Sequence, residues 1–308
     1  MKDTENTSNT KTYFLLIFAA ASWGFQPLCI KWLVAEWTPV TITAVRYFVI
    51  SVILFAFLWK KYGSILPPRK IFWLLLCMGC MGIGVNNVLQ FTGLRYTTVT
   101  NCTLISATTP AITAVMAVFW IRERLSLFSW LGILISFAGT FVVVSHGSWE
   151  AIRNIDFNIG DVLCFLSQVA WAVYSILGLK AMRHVSAVFV TAWAGLIGAF
   201  MTLLYGFAMG EFDVVPLSML AAGSYLYAVL IGGVLSMVFW NMGVKNAGPS
   251  ISSIFLNLMP VVGMCAGWFF FHDEIGPVQL TGAAAIFVGV YLTTHSEQIA
   301  HLAHHIHR

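Results

Sequence analysis

The stretch NNVLQFTGLRYTTVTNCTLISATTP, residues 86–110, returns 150 positions later as SMVFWNMGVKNAGPSISSIFLNLMP, residues 236–260. Gly93 falls on Gly243, Arg95 on Lys245 and Pro110 on Pro260. Farther along, Gly132 and Gly139 meet Gly282 and Gly289; toward the N-terminus an offset of 148 sets Trp23 against Trp171. The chain is therefore a duplication. Each half carries five apolar segments, and because five is odd the second half enters a membrane from the opposite side to the first. This is an inverted-topology repeat, which can build one site near the midplane and exchange its access between the two sides. An enzyme or a receptor has no need of that symmetry.

The composition agrees. Of 308 residues, 59% are hydrophobic and 9% charged, with a mean hydropathy of +0.85. Soluble domains carry about 25% charged residues. So few charges cannot solvate a particle of this size, and lipid must cover much of the surface. The net charge of +4 comes from cations scattered singly, not from the dense stripe that a nucleic-acid partner requires. All six cysteines lie in apolar stretches, where neither a disulfide framework nor a metal site is the default expectation.

A helix needs about 20 mostly apolar residues to cross the hydrocarbon core. Ten segments qualify: 13–35, 39–59, 71–92, 97–120, 126–146, 160–180, 186–209, 217–241, 249–271 and 275–294. The first is too long, and contains Trp23 and Pro27, to be a cleavable leader. With the N-terminus in the cytoplasm, twelve Lys and Arg fall inside and three (Lys31, Arg95 and Arg153) outside, so both termini are expected to be cytoplasmic. Trp32, Trp37, Trp59, Trp73, Trp120, Trp130 and Trp149 mark span ends. The expected organisation is a cytoplasmic tail (1–12), a first repeat (13–146), an extracytoplasmic linker (147–159), a second repeat (160–294) and a His-rich cytoplasmic tail (295–308). The fifth and tenth spans, poor in polar residues, are expected to face lipid or a partner protomer in a homodimer.

The run Gly93-Leu-Arg-Tyr-Thr-Thr, then Thr108-Thr-Pro110, Arg122-Glu-Arg-Leu-Ser126 and Trp130-Leu-Gly132, resembles EamA-type members of the drug/metabolite transporter superfamily. The second half repeats the pattern in Gly243-Val-Lys, Asn257-Leu-Met-Pro260, Asp273-Glu274 and Leu280-Thr-Gly282. Trp23-Gly24 and Arg46 also stand where that family has them. Nearly the whole chain is covered. The resemblance implies a ten-helix carrier of small metabolites in a bacterial inner membrane. Substrate stays open, since similar proteins export amino acids or take up amines or sugars. The acids after the ninth span, Asp273 and Glu274, are adjacent where the first half has Glu123 alone.

No Asp or Glu lies mid-span, which argues against the carboxylate-centred coupling common in cation carriers. Arg46 is the one charge well inside a span. Its fork suits a substrate carboxylate, and it could equally satisfy backbone carbonyls or snorkel outward. Pro110 and Pro260 each interrupt a span and free a carbonyl, making them expected bending points. Helical spacing places Thr103 with Pro110, and Ser253 and Asn257 with Pro260. Asn86 and Gln90 match Ser236 and Trp240. Gln26 lies one turn from Trp23, and Tyr174 one turn from Trp171. These residues are the expected lining of amides, hydroxyls and aromatics; the alternative is polar packing between helices. Such a lining suits a zwitterion, or a quaternary amine held by cation–π attraction.

Other signals carry less. Cys77-Met-Gly-Cys80 has no second pair or His beside it, so no metal is expected. Gly263 and Gly267 form GxxxG, expected to pack inside the bundle. His295, His301, His304, His305 and His307 read as a solvated tail, and Asn6-Thr-Ser8 as a chance sequon on the cytoplasmic side. No cofactor is expected. An intramembrane enzyme would need an HExxH or facing aspartates, which the spans lack; a passive channel shares the polar lining but not the need for duplication. The reading is an exporter of amino acids or related metabolites, with import of choline-like cations as the alternative.

Overall fold

A computed structural model describes residues 2–97, 99–145, 147–148, 158–272, 274–296 and 299. Among the described residues ten helices are long and apolar enough to cross a membrane: α1 (Asn9–Leu33), α2 (Pro39–Tyr62), α3 (Arg69–Gly93), α4 (Asn101–Ile121), α5 (Leu127–Ser145), α6 (Ile159–Ala181), α7 (Ala187–Met209), α8 (Met219–Ala247), α9 (Pro249–Phe270) and α10 (Pro277–Thr294). No strand occurs among the described residues. The helices coincide with the expected spans except that α8 runs on to Ala247. Val244 and Gly243 stay buried in that extension, so tertiary packing carries the helix past its apolar run. Residues 149–157 of the linker and His301, His304, His305 and His307 lie outside the described residues.

Local chemistry sets the ends. Thr38 accepts the Thr41 N–H ahead of Pro39, and Ser186 accepts that of Phe189, capping the paired starts of α2 and α7. Asn158 and Asp161 form a capping box at α6. Arg122 and His272, 150 positions apart, both end their helices in the left-handed region, at φ 55° and 60°.

The halves interlock. α1 packs on α8 and α9, and in mirror fashion α6 packs on α3 and α4. α2 pairs with α7, and α5 with α10. At this last seam a Cβ on Gly132 would lie 2.6 Å from the Gly289 carbonyl oxygen, and one on Gly139 2.6 Å from that of Gly282. Rising numbers meet falling ones, so α5 and α10 are antiparallel, as inversion requires. The expectation that these two helices face lipid or a partner is corrected in part. They bury their glycine faces against each other, because backbones without side chains approach closely, and expose Leu131, Leu134, Leu280 and Phe287 on the other side. Gly139→Leu should force backbone from backbone and cost about 1–3 kcal/mol or more, seen as a lower Tm in detergent; an unchanged Tm would refute the seam.

Two irregularities shape the interior. α3 contains a π-helical turn at Cys80–Val85 and α8 one at Leu230–Leu235, again 150 positions apart. α4 breaks after Ser106, just before Pro110; α9 tightens to a 3₁₀ turn at Phe255–Leu258, just before Pro260. Proline has no N–H for the carbonyl one turn back. At α4 the Thr109 hydroxyl donates to the Ser106 carbonyl in its place, at 2.5 Å.

Candidate functional site: a one-sided central cavity

A cavity of about 440 Å³ lies between the halves. It continues into a chamber of about 610 Å³ with which it shares Trp23, Gln90, Thr103 and Met259. The chamber reaches Lys31, Leu94 and Gly267, at the end of the molecule where α1, α3 and α9 finish. Beyond that mouth, Arg95 pairs with Glu211, which lifts the Arg95 pKa further. The Glu36 carboxylate caps α8 by accepting the Ser218 N–H and hydroxyl, bonds that hold its pKa below the usual carboxylate range.

The opposite end is shut. Tyr13 packs on Phe255 at 5.7 Å between ring centroids and donates to the Thr294 carbonyl, while Asn246 donates to Thr12. Glu123, in the α4–α5 loop, accepts the Ser250 hydroxyl at 2.8 Å and caps the start of α9. Burial pushes the Glu123 pKa up, and the Ser250 bonds only partly offset it. A carboxyl with a raised pKa holds its proton more tightly where it is buried. The shut end therefore gains stability as pH falls through that raised value toward the ordinary carboxylate range, and loses it as pH rises. Glu123→Gln, neutral at every pH, should melt above the native chain at pH 8, with the gap narrowing as pH falls toward the ordinary carboxylate range in paired thermal melts; a gap that widens on acidification would refute this.

Of the twelve side chains expected to line a site, eight surround the cavity: Trp23, Gln26, Arg46, Asn86, Gln90, Thr103, Trp171 and Asn257. Tyr174, Ser236, Trp240 and Ser253 stand behind the wall. Tyr174 stacks on Trp171 and accepts a hydrogen bond from Asn241; the Ser236 hydroxyl donates to the Ile231 carbonyl, which also accepts the Ser236 N–H in the π turn; Ser253 donates to the Ser250 carbonyl. Trp240 is fully buried, 5.7 Å from both Trp23 and Trp171. These four are the repeat counterparts of Gln26, Asn86, Gln90 and Thr103, all of which line the cavity. Inversion puts one member of each pair toward the open end and the other toward the shut end. Pro260 reaches the cavity and Pro110 does not.

Trp23 and Trp171 meet edge to face at 5.7 Å as the floor, and the Trp23 indole donates to the Gly232 carbonyl in the α8 π turn. Asn86 donates to the Ser167 carbonyl and Asn257 to the Ser136 hydroxyl. Arg46 is 8% exposed, its guanidinium 4.8 Å from the Tyr47 ring centroid. Its Nε has no hydrogen-bond partner among the described residues, and no carboxylate lines the cavity. The Gln26 Oε1 and Trp171 Nε1 are likewise unpartnered.

Sequence reasoning missed Tyr47, Phe91, Thr140 and Gln168 in the lining. Gln168 was findable as an amide one turn before Trp171. Its side-chain amide lies 2.8 Å from the Thr109 hydroxyl oxygen, so it rivets α6 to α4 below the Pro110 break. GxxxG is corrected in part: Gly263 borders the outer chamber, and a Cβ on it would meet only the Gly24 carbonyl of α1, at an ordinary contact distance of 3.7 Å, so this glycine is not what lets the two helices approach.

Comparison with known proteins decides the family. The EamA-like transporter family matches residues 10–145 and again 158–295. This chain belongs to it. The EamA match falls twice, once on each half. Among relatives, the uncharacterized transporter YyaM of Bacillus subtilis is 30% identical over 216 residues, 70% of each chain. An uncharacterized transporter of Archaeoglobus fulgidus is 25% identical over 93% of this chain and 98% of its own. A solved crystal structure, 18% identical, superposes with a TM-score of 0.79 over 93% of this chain and 98% of that one, a likeness of fold. The EamA protein described here is thus a multi-pass membrane transporter rather than an enzyme.

Proposed function

We propose that this transporter moves small carboxylate-bearing metabolites, amino acids first among them, by alternating access around the central cavity. Arg46 carries the reading. A cation mid-span with no carboxylate beside it costs about 2.5–3.5 kcal/mol on insertion scales, a cost that a substrate carboxylate offsets by accepting charge-assisted hydrogen bonds from the guanidinium. Gln26 and Asn86 flank it to orient the cargo, and the Trp23–Trp171 floor receives an apolar side chain. Supporting the mechanism, the pairs Gln26/Tyr174, Asn86/Ser236, Gln90/Trp240 and Thr103/Ser253 exchange places when the open end shuts, with the breaks before Pro110 and Pro260 as bending points. With both termini cytoplasmic, as the charge asymmetry supports, the open end faces outward. Export rests on the family resemblance. Counterflow tests the reading: proteoliposomes loaded with unlabelled amino acids should accumulate labelled ones, and protein that binds but never exchanges cargo would overturn it. The aromatic floor supports a second reading, a quaternary amine held by cation–π attraction; stabilisation by such amines alone in a thermal-shift screen would favour it.

A further inference from the structure

Cys102 on α4 and Cys164 on α6 bring their sulfurs to 2.6 Å, against about 2.0 Å in a disulfide. Both are free thiols, and Cys102 borders the outer chamber while Cys164 is fully buried behind it. Of the six cysteines, the remaining four have no such neighbour among the described residues. Beside the pair α6 is pinned to the end of α3 by Gly93 and Gly160, where a Cβ on either would press within 2.8 Å of the other's carbonyl oxygen and one on Gly93 would lie 3.0 Å from the Cys164 sulfur.

What the pair would do follows from how the two halves differ. The contacts α1–α8, α3–α6, α1–α9 and α4–α6 repeat faithfully between them. The segments before the two proline breaks do not. At the open end Val99–Ser106 packs on α6. At the shut end the counterpart is residues 249–256: Pro249–Ile254, which holds the Cys102 counterpart Ser252, packs chiefly on the far half of α4, Thr109–Ile121, and contact with α1 is left to Phe255 and the turn after it. If the open end shuts as the other has, Val99–Ser106 leaves α6 and crosses toward Met259–Phe271, drawing Cys102 away from Cys164. The sulfurs meet only while this end is open.

We propose that Cys102 and Cys164 form a redox latch: their disulfide ties the mobile segment of α4 to α6 and arrests the carrier with its cavity open at the Lys31 end. The locking half of this rests on the alternating-access reading above. A peroxide entering the chamber supplies the oxidant. The Cys102 sulfur attacks one peroxide oxygen as the O–O bond breaks, giving a sulfenic acid, and the thiol proton passes to the departing hydroxide to make water. The Cys164 sulfur then attacks the sulfenic sulfur; the S–S bond forms, and the departing hydroxide takes the Cys164 proton as a second water. Two thiols lose two electrons and one peroxide is reduced. A dithiol reductant reverses the bond by exchange.

The test uses the full-length protein in proteoliposomes, treated with hydrogen peroxide and digested with trypsin without reduction. Cleavage at Arg95, Arg122, Arg153 and Lys180 leaves each cysteine as the single thiol of its peptide. A linked pair of the peptides 96–122 and 154–180, two hydrogens lighter than their sum, is expected. Both thiols still alkylatable after treatment would overturn the proposal. In the linked protein, amide exchange at residues 249–254 should slow, because the shut end can no longer open; a link with exchange unchanged would overturn the locking. Amino acid exchange should fall to the level of empty vesicles and recover with dithiothreitol, while Cys164→Ser should exchange normally and ignore peroxide. If untreated protein exchanges no cargo, the transport reading fails, and the peptide and amide measurements still decide the latch.

Discussion

Replacing Arg46 with alanine is expected to weaken binding of an amino acid by about 100-fold, which is about 2.7 kcal/mol and the range of one or two charge-assisted hydrogen bonds removed from a dry site. Nothing else in the cavity compensates, because its lining holds no other cation. Arg46→Lys should fall between, since an ammonium keeps the charge and loses the two-pronged geometry. Isothermal titration of purified protein reads both. The alanine chain itself should fold, and even melt slightly higher without ligand, because removal of the guanidinium relieves an unpartnered Nε. Undiminished affinity would assign Arg46 to the scaffold.

Trp240→Ala should produce the largest loss of stability in the molecule. The ring is fully buried and touches both floor indoles; truncating a buried Trp costs about 3–5 kcal/mol through lost contacts and the cavity left behind. Its Nε1 has no partner among the described residues, so Trp240→Phe gives up no hydrogen bond and should retain most of the stability. Thermal melts of the three chains in one detergent check the order; equal losses for Phe and Ala would show that packing is not what the indole provides.

The ten spans were legible because each is a long apolar run, all but the last with Lys, Arg or Trp near an end, and the inversion because glycines and prolines recur at one offset. The cavity was half legible. Matching faces such as Asn86/Gln90 and Ser236/Trp240 follow from helical spacing alone, which treats both repeats alike. A sequence encodes every state the chain visits, whereas one conformation opens a single end, so Tyr174, Ser236, Trp240 and Ser253 sit packed while their counterparts line the cavity. Gln168 escaped notice because its counterpart, Ala20, offers no polar match. The α5–α10 seam could not be read from polarity, since a face that buries glycine against glycine has the same composition as one that meets lipid. Helix spacing also assumes unbroken α geometry, which the π turns violate.

Those two π turns bear on ancestry. A π turn holds one residue more than the α turn it replaces, so an insertion into either half after the duplication would have shifted every later landmark of that half by one. From these turns onward no shift exists: Cys80–Val85 and Leu230–Leu235 stand at the same 150-residue offset as Gly93 and Gly243, Pro110 and Pro260, and Gly139 and Gly289, and the change from the 148 offset of Trp23 and Trp171 lies before them. A five-helix forebear that carried the extra residue before its gene doubled leaves such a matched pair. The widened turn of one half receives Tyr174 at Gly82, and that of the other Gln26 at Gly232. Two separate copies, inserted in opposite senses, would have met through the same indentation that the fused chain uses today.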